Sequence, residues 1–173
     1  MIHMKLAEAF AFSAPVVCAV ICMIMMLMDA HARRSNPVER RLRLFLAFAY
    51  LVSLLGWLGM VFFVLSPRVF VYYYTVFLLT LMLDQVMIYR FVSIITNTGE
   101  HPKFNRLHLI IPLLIIAVSA TGSLLVPVDR QMDIIYGDAG YNSWFRVMYV
   151  TATVIFVVYN SLYPALNLRN IRR

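Results

Sequence analysis

Asp84 is the one acidic side chain inside the long apolar runs of this sequence, with Gln85 beside it and Arg90 six positions on. An acid near the centre of a membrane-spanning helix costs about 2.5–3.5 kcal/mol on insertion scales, so it must face protein or water. At about 100° per residue, Tyr73, Phe77, Thr80, Asp84, Met87 and Phe91 share one helical face, and that face is expected to look into a helical bundle. Two roles fit Asp84. It is a ligand contact, proton site or switch, or it is a neutral, hydrogen-bonded acid that clips two helices together. Asn160 lies in a later apolar run with Tyr149, Thr153 and Tyr163 along a similar face, which makes it a candidate partner for Asp84. An interhelical hydrogen bond accounts for Asn160 equally well. Arg90 sits about 120° around the helix from Asp84 and is expected to snorkel to a membrane interface rather than pair with it.

Other reactive types form no constellation. Cys18 and Cys22 are four residues apart and are followed by Met23, Met25, Met26 and Met28. Soft sulfur ligands suit Cu(I), but these methionines point in several directions around a helix, and apolar packing explains them. His3, His31, His101 and His108 have no zinc spacing. There is no nucleophile elbow, phosphate-binding glycine loop or catalytic carboxylate pair. No metal site, no cofactor, no catalytic residue and no enzyme activity are expected.

The elements that must carry these residues follow from composition. Of 173 residues, 62% are hydrophobic and 13% charged, and mean hydropathy is +0.81. A soluble domain has about 45–50% apolar and about 25% charged residues, so a water-soluble enzyme, a free-standing nucleic-acid module and a disordered chain are excluded as readings. Two cysteines give no disulfide framework. A spanning helix needs about 20 mostly apolar residues. Five runs qualify: Ala9–Met28, Leu44–Leu65, Val69–Ile95, Leu109–Val128 and Val147–Leu168. Backbone groups in lipid must pair internally, and the alternation of a β-barrel is missing. The expected fold is all-α, a polytopic integral membrane protein whose residues 1–173 form a single five-helix transmembrane domain. The connections are expected to be loops, the last running from Asp129 to Arg146 after Pro127.

Charge orients the spans. Ten basic residues, among them Arg33, Arg34, Arg40, Arg41 and Arg43, fall on one side of a five-span arrangement, and four fall on the other. Positive residues stay inside, so the N-terminus is expected outside and the C-terminus in the cytoplasm. The net charge of +7 then lies on the inner side, against anionic lipid headgroups. Arg33, Arg34, Arg40, Arg41, Arg90 and Trp144 are the expected interface anchors. Tyr72, Tyr73, Tyr74, Tyr141, Trp144 and Tyr149 gather near the outer ends, either as an interfacial belt or as the rim of an outward-facing pocket. The run Ala30-His31-Ala32 has the form of a signal-peptide cleavage site, but the long apolar stretch and the arginines after it favour a retained span. Small residues Ser53, Gly56, Gly59, Ser119 and Ser123 suit close packing, within the chain or in a homo-oligomer. The bilayer is one expected partner, and an external or membrane-borne ligand is another. Without an aromatic-basic platform, direct nucleic-acid binding by this segment is not expected.

The stretches ARRSNPVERRLRLFLAFAYLVSLLGWLG (Ala32–Gly59), HPKFNRLHLIIPLL (His101–Leu114) and SLYPALNLRNIRR (Ser161–Arg173) resemble the membrane-embedded N-terminal region of bacterial regulators with an AraC-type helix-turn-helix domain. The resemblance carries no catalytic or ligand motif. It implies that this chain is the sensing and anchoring part of such a regulator, without the DNA-binding output. Two other classes remain beside it. One is a small transporter or channel with Asp84 in the pathway, and the other is a structural subunit of a membrane complex.

Overall fold

The structure, a computed structural model, describes residues 2–33, 35–96, 105–137 and 144–171, leaving aside the side chains of 2–6 and 170. These residues form six helices: α1 (Ile2–Ala32), α2 (Pro37–Leu65), α3 (Pro67–Thr96), α4 (Leu107–Leu125), α5 (Val128–Tyr136) and α6 (Trp144–Ile171). All except α5 are long and apolar enough to cross a membrane. The chain is all-helical, and its five long helices coincide with the five apolar runs of the sequence.

The helix ends differ from the apolar boundaries for local reasons. The expected Asp29–Arg43 connection shrinks to four residues, because α1 continues to Ala32 and α2 begins at Pro37. Asn36 caps α2, its side chain accepting from the backbone N–H groups of Val38 and Glu39, and Pro37 occupies a first-turn position that needs no donor. At the other end of the chain's fourth run, α4 stops at Leu125 rather than Val128. Val126 is extended (φ −112°, ψ 128°), as a residue before proline must be, and Pro127 stops the helix. The following segment is not all loop. Val128–Tyr136 forms α5, with Gln131 and Ile134 buried and Asp129, Arg130 and Asp133 exposed, an amphipathic pattern that its acidic residues obscure. Tyr141, Asp138 and Lys103 lie outside the described residues.

Two compact units emerge, Met1–Ser66 and Pro67–Arg173, where the sequence reading has one bundle. In the first, α1 and α2 pair as a helical hairpin. Small or short side chains are buried on both helices: Ala9, Ala19 and Ala30 on α1, and Ala47, Val52, Gly56 and Gly59 on α2. They let the backbones approach where larger groups would hold them apart. Phe12 stacks on Trp57 with ring centroids 6.3 Å apart. The connecting end is closed by charge. Arg33 bonds Asp29 at 3.0 Å and also Glu39, while Arg43 meets the second oxygen of Asp29 at 2.8 Å. The carboxylate of Asp29, and then that of Glu39, raises the pKa of the Arg33 guanidinium.

In the second unit α3 is the shared element, packed against α4, α5 and α6. Its buried line runs through Val71, Tyr74, Leu78, Met82 and Val86 at helical spacing. Tyr74 meets Tyr149 of α6 at 5.5 Å, and Phe70 meets Tyr136 of α5 at 6.2 Å.

Candidate functional site

Asp84 does not lie on that buried line. Met82 and Val86, each two residues away, are turned about 160° from it. Tyr89, whose ring touches both α4 and α6, is about 140° away. Of the expected face, Thr80 is buried and Tyr73, Phe77, Asp84, Met87 and Phe91 are half-buried, while the ring contacts to α4 and α6 come from Tyr74 and Tyr89. The cause is size and polarity. The neighbouring face offers Tyr74, Leu78, Met82, Val86 and Tyr89, which bury more apolar area than a face broken by a carboxyl. Asp84 and Gln85 are half-buried, and within its unit Asp84 makes no hydrogen bond or ion pair with a described residue. Thr80 is buried, and its hydroxyl donates to the carbonyl of Phe77 at 2.8 Å. Tyr73 is half-buried. The Asn160 amide donates to the carbonyl of Phe156 at 2.9 Å, one turn back in its own helix, and not to Asp84. The structure therefore does not bring Asp84 and Asn160 together.

Of the expected anchors, Arg33 is engaged in the ion-pair network above, Arg40 and Arg41 are exposed, and Arg90 is half-buried. Arg34 lies outside the described residues. Trp144 is 55% exposed at the start of α6, with its ring edge-on to Phe145.

The polar centre of the unit lies elsewhere. His108 Nδ1 and the Tyr163 hydroxyl stand 2.8 Å apart, with the donor set by the imidazole tautomer. Tyr89 closes the group from α3, its ring 5.0 Å from His108 and 5.7 Å from Tyr163. Tyr159 stacks at 5.0 Å on Tyr163, and its hydroxyl donates to the backbone carbonyl of His108 at 3.4 Å. That carbonyl is available because Pro112, four residues on, has no N–H to donate. Three helices therefore meet at one histidine and three tyrosines. The sequence held the signal: a histidine one turn before a proline in an apolar run leaves an unpaired carbonyl that an interhelical hydroxyl can take.

A second feature lies between α4 and α6. Between the two helices lies an open cleft of about 390 Å³, walled by Leu114, Val118 and Ser119 on one side and by Trp144, Met148 and Thr151 on the other. Next to it Met148 crosses to α4 over Gly122, where an added Cβ would stand 2.7 Å from the methionine sulfur. Among the described residues, none that lines the cleft is charged. Beyond it, α5 is fastened to the end of α4 by Gln131, which is 2% exposed. Its amide donates to the carbonyls of Ser123 at 2.8 Å and Val126 at 2.6 Å, two acceptors with no partner in the last turn of a helix.

Arranged in this way, α6 carries one wall of an apolar cleft in its first half and two tyrosines of the polar cluster in its second. The chain matches no family model, no curated protein and no solved structure in the comparisons made.

Proposed function

We propose that this protein is a membrane-embedded sensing and anchoring module of a signal-transduction or transcription-regulatory system. In this reading it sits in a bacterial inner membrane with its N-terminus outside and its C-terminus in the cytoplasm. The observation that carries the reading is the placement of cleft and cluster on one helix, α6. A lipophilic cue that enters the cleft changes the separation of α4 and α6. The same change acts on the His108–Tyr163 bond, because those residues belong to the same two helices. The movement leaves through the last turns of α6, toward a cytoplasmic output. The hairpin of α1 and α2, with its basic connection, serves as the anchor.

The test is a fusion of the chain, at its C-terminal end, to a DNA-binding output domain that controls a reporter gene. Val118→Trp fills the cleft, and Tyr163→Phe removes the hydroxyl from His108. Each is expected to change reporter output at unchanged membrane levels. If both fusions report like the parent, the sensing reading is wrong.

A second reading, transport, is favoured by one observation: Asp84 has no hydrogen-bond partner among the described residues of its own unit, as suits a carboxyl that handles protons or cations. Liposome flux lost on Asp84→Asn supports it, and flux equal to that of empty liposomes removes it.

A further inference from the structure

The serine and threonine hydroxyls of α4 and α6 divide into two groups. Thr121 and Ser123 on α4 donate to carbonyls one turn back at 2.7 and 2.9 Å, and Thr153 and Ser161 on α6 do the same at 2.9 Å. This is the usual way in which a hydroxyl is satisfied inside a membrane helix. The other two, Ser119 and Thr151, make no such bond, and neither is hydrogen-bonded to any described residue. Both line the cleft, one on each wall. Ser119 is only 1% exposed and is one of the residues that line the cleft. A hydroxyl left without an acceptor in an apolar surrounding is costly, and a back-bond to its own helix was within reach of each.

We infer that the cleft is a binding site for a small, neutral, lipophilic molecule bearing a hydrogen-bond acceptor, such as a carbonyl, which receives a hydrogen bond from Ser119 or Thr151. The absence of charge on the lining selects against ions and zwitterionic headgroups. The volume of about 390 Å³ lies within the range of small-molecule sites, which pair apolar walls with a few polar groups. An acyl chain fills the walls but gives the hydroxyls nothing to bond, and so is the poorer occupant. Trp144 and Met148 are both part of the lining, so each lies against the position that such a molecule takes. This assigns a ligand class to the cleft used in the sensing reading, and it rests on that reading for its physiological meaning only.

The test uses benzophenone, a neutral aryl ketone that attaches to nearby C–H bonds on illumination, with the intact chain in phosphatidylcholine nanodiscs. Peptide mass spectrometry locates the attachment, which is expected at Met148 and its neighbours in the cleft. Competition compares fluorenone with fluorene, the same shape without the carbonyl. One hydrogen bond makes fluorenone about three- to tenfold the better competitor. In the Ser119→Ala/Thr151→Val variant, attachment persists and that advantage disappears. Val118→Trp, at a lipid-accessible position, abolishes attachment without disturbing the buried layer. Attachment scattered along the outer surfaces of α4 and α6, or equal competition by fluorene and fluorenone, overturns the proposal. Attachment at Met148 with an unresponsive reporter removes sensing and leaves the site. A responsive reporter without carbonyl preference does the reverse.

Discussion

Gln131 offers the most quantitative test of the second unit. It is buried, and its amide donates at 2.8 and 2.6 Å to two carbonyls at the end of α4. Each such bond contributes about 0.5–1.5 kcal/mol net. The opposite end of the amide is less well served, because Gln131 Oε1 is buried with no hydrogen-bond partner among the described residues. Replacement by Met keeps the length, removes both donors and also removes that stranded acceptor. The two effects oppose, and Gln131→Met is expected to destabilise by about 1–2 kcal/mol. Gln131→Glu behaves differently. At neutral pH it sets a carboxylate against two carbonyl oxygens in a buried site, and an unpaired buried charge costs about 3–5 kcal/mol. The order of stability is therefore parent, Met, Glu, read as unfolding by denaturant in detergent. Hydrogen exchange localises the effect. A loss of about 1.4 kcal/mol confined to α5 speeds exchange of its amides about tenfold, while α1 and α2 are unchanged. If the Met variant matches the parent in both measurements, Gln131 does not hold α5 to α4.

Three further predictions concern the same unit. A double-mutant cycle with His108→Phe and Tyr163→Phe should give a coupling of about 0.6–1.7 kcal/mol, the range for interhelical hydrogen bonds in membrane proteins, and a coupling near zero would remove the bond. Asp84→Leu should leave the denaturation midpoint unchanged or raise it, since the carboxyl gives up about 2.5–3.5 kcal/mol on insertion and gains no bond from the described residues of its unit; a lower midpoint would reveal a partner. Tyr136, on α5, has its pKa pushed up from 10.0 to about 12 by burial and by the nearby Tyr149. Its folded form holds the phenol proton more tightly than the unfolded chain, so its contribution is complete below about pH 10 and is lost as pH rises to about 12. A difference absorbance titration of the parent against Tyr136→Phe checks this, and a Tyr136 transition at pH 10 would contradict it.

The five long helices were legible because the bilayer imposes one rule on all of them: about 20 apolar residues with every backbone group paired inside the segment. Their ends were less legible because local chemistry sets them. Asn36 and Pro37 start α2 seven residues before Leu44, where the apolar run begins, and Pro127 stops α4 while the run is still apolar. The helix α5 escaped notice because its length is below any spanning threshold and its acids resemble a loop. What marks it is the amphipathic spacing of Gln131 and Ile134.

The functional residues were harder to read, and the reason lies in how a membrane helix treats polarity. In water a charged residue is ordinary, so in an apolar run it draws attention first, as Asp84 does. Rarity identifies a costly residue without saying which neighbour repays the cost. Interhelical recognition is instead carried by groups that are individually cheap: a tyrosine hydroxyl, a histidine near a helix start, a serine. Their meaning depends on whether the helix has already satisfied them. Ser119 and Ser123 are the same residue type four positions apart on α4, yet Ser123 donates to the carbonyl of Ser119 and the Ser119 hydroxyl has no partner among the described residues. Nothing in the sequence distinguishes the two. The distinction appears once α4 and α6 pack together, because only then does Ser119 line a cleft while the Ser123 hydroxyl bonds its own backbone. In a helical membrane unit the informative polar group is therefore the one that could have bonded to its own helix and does not.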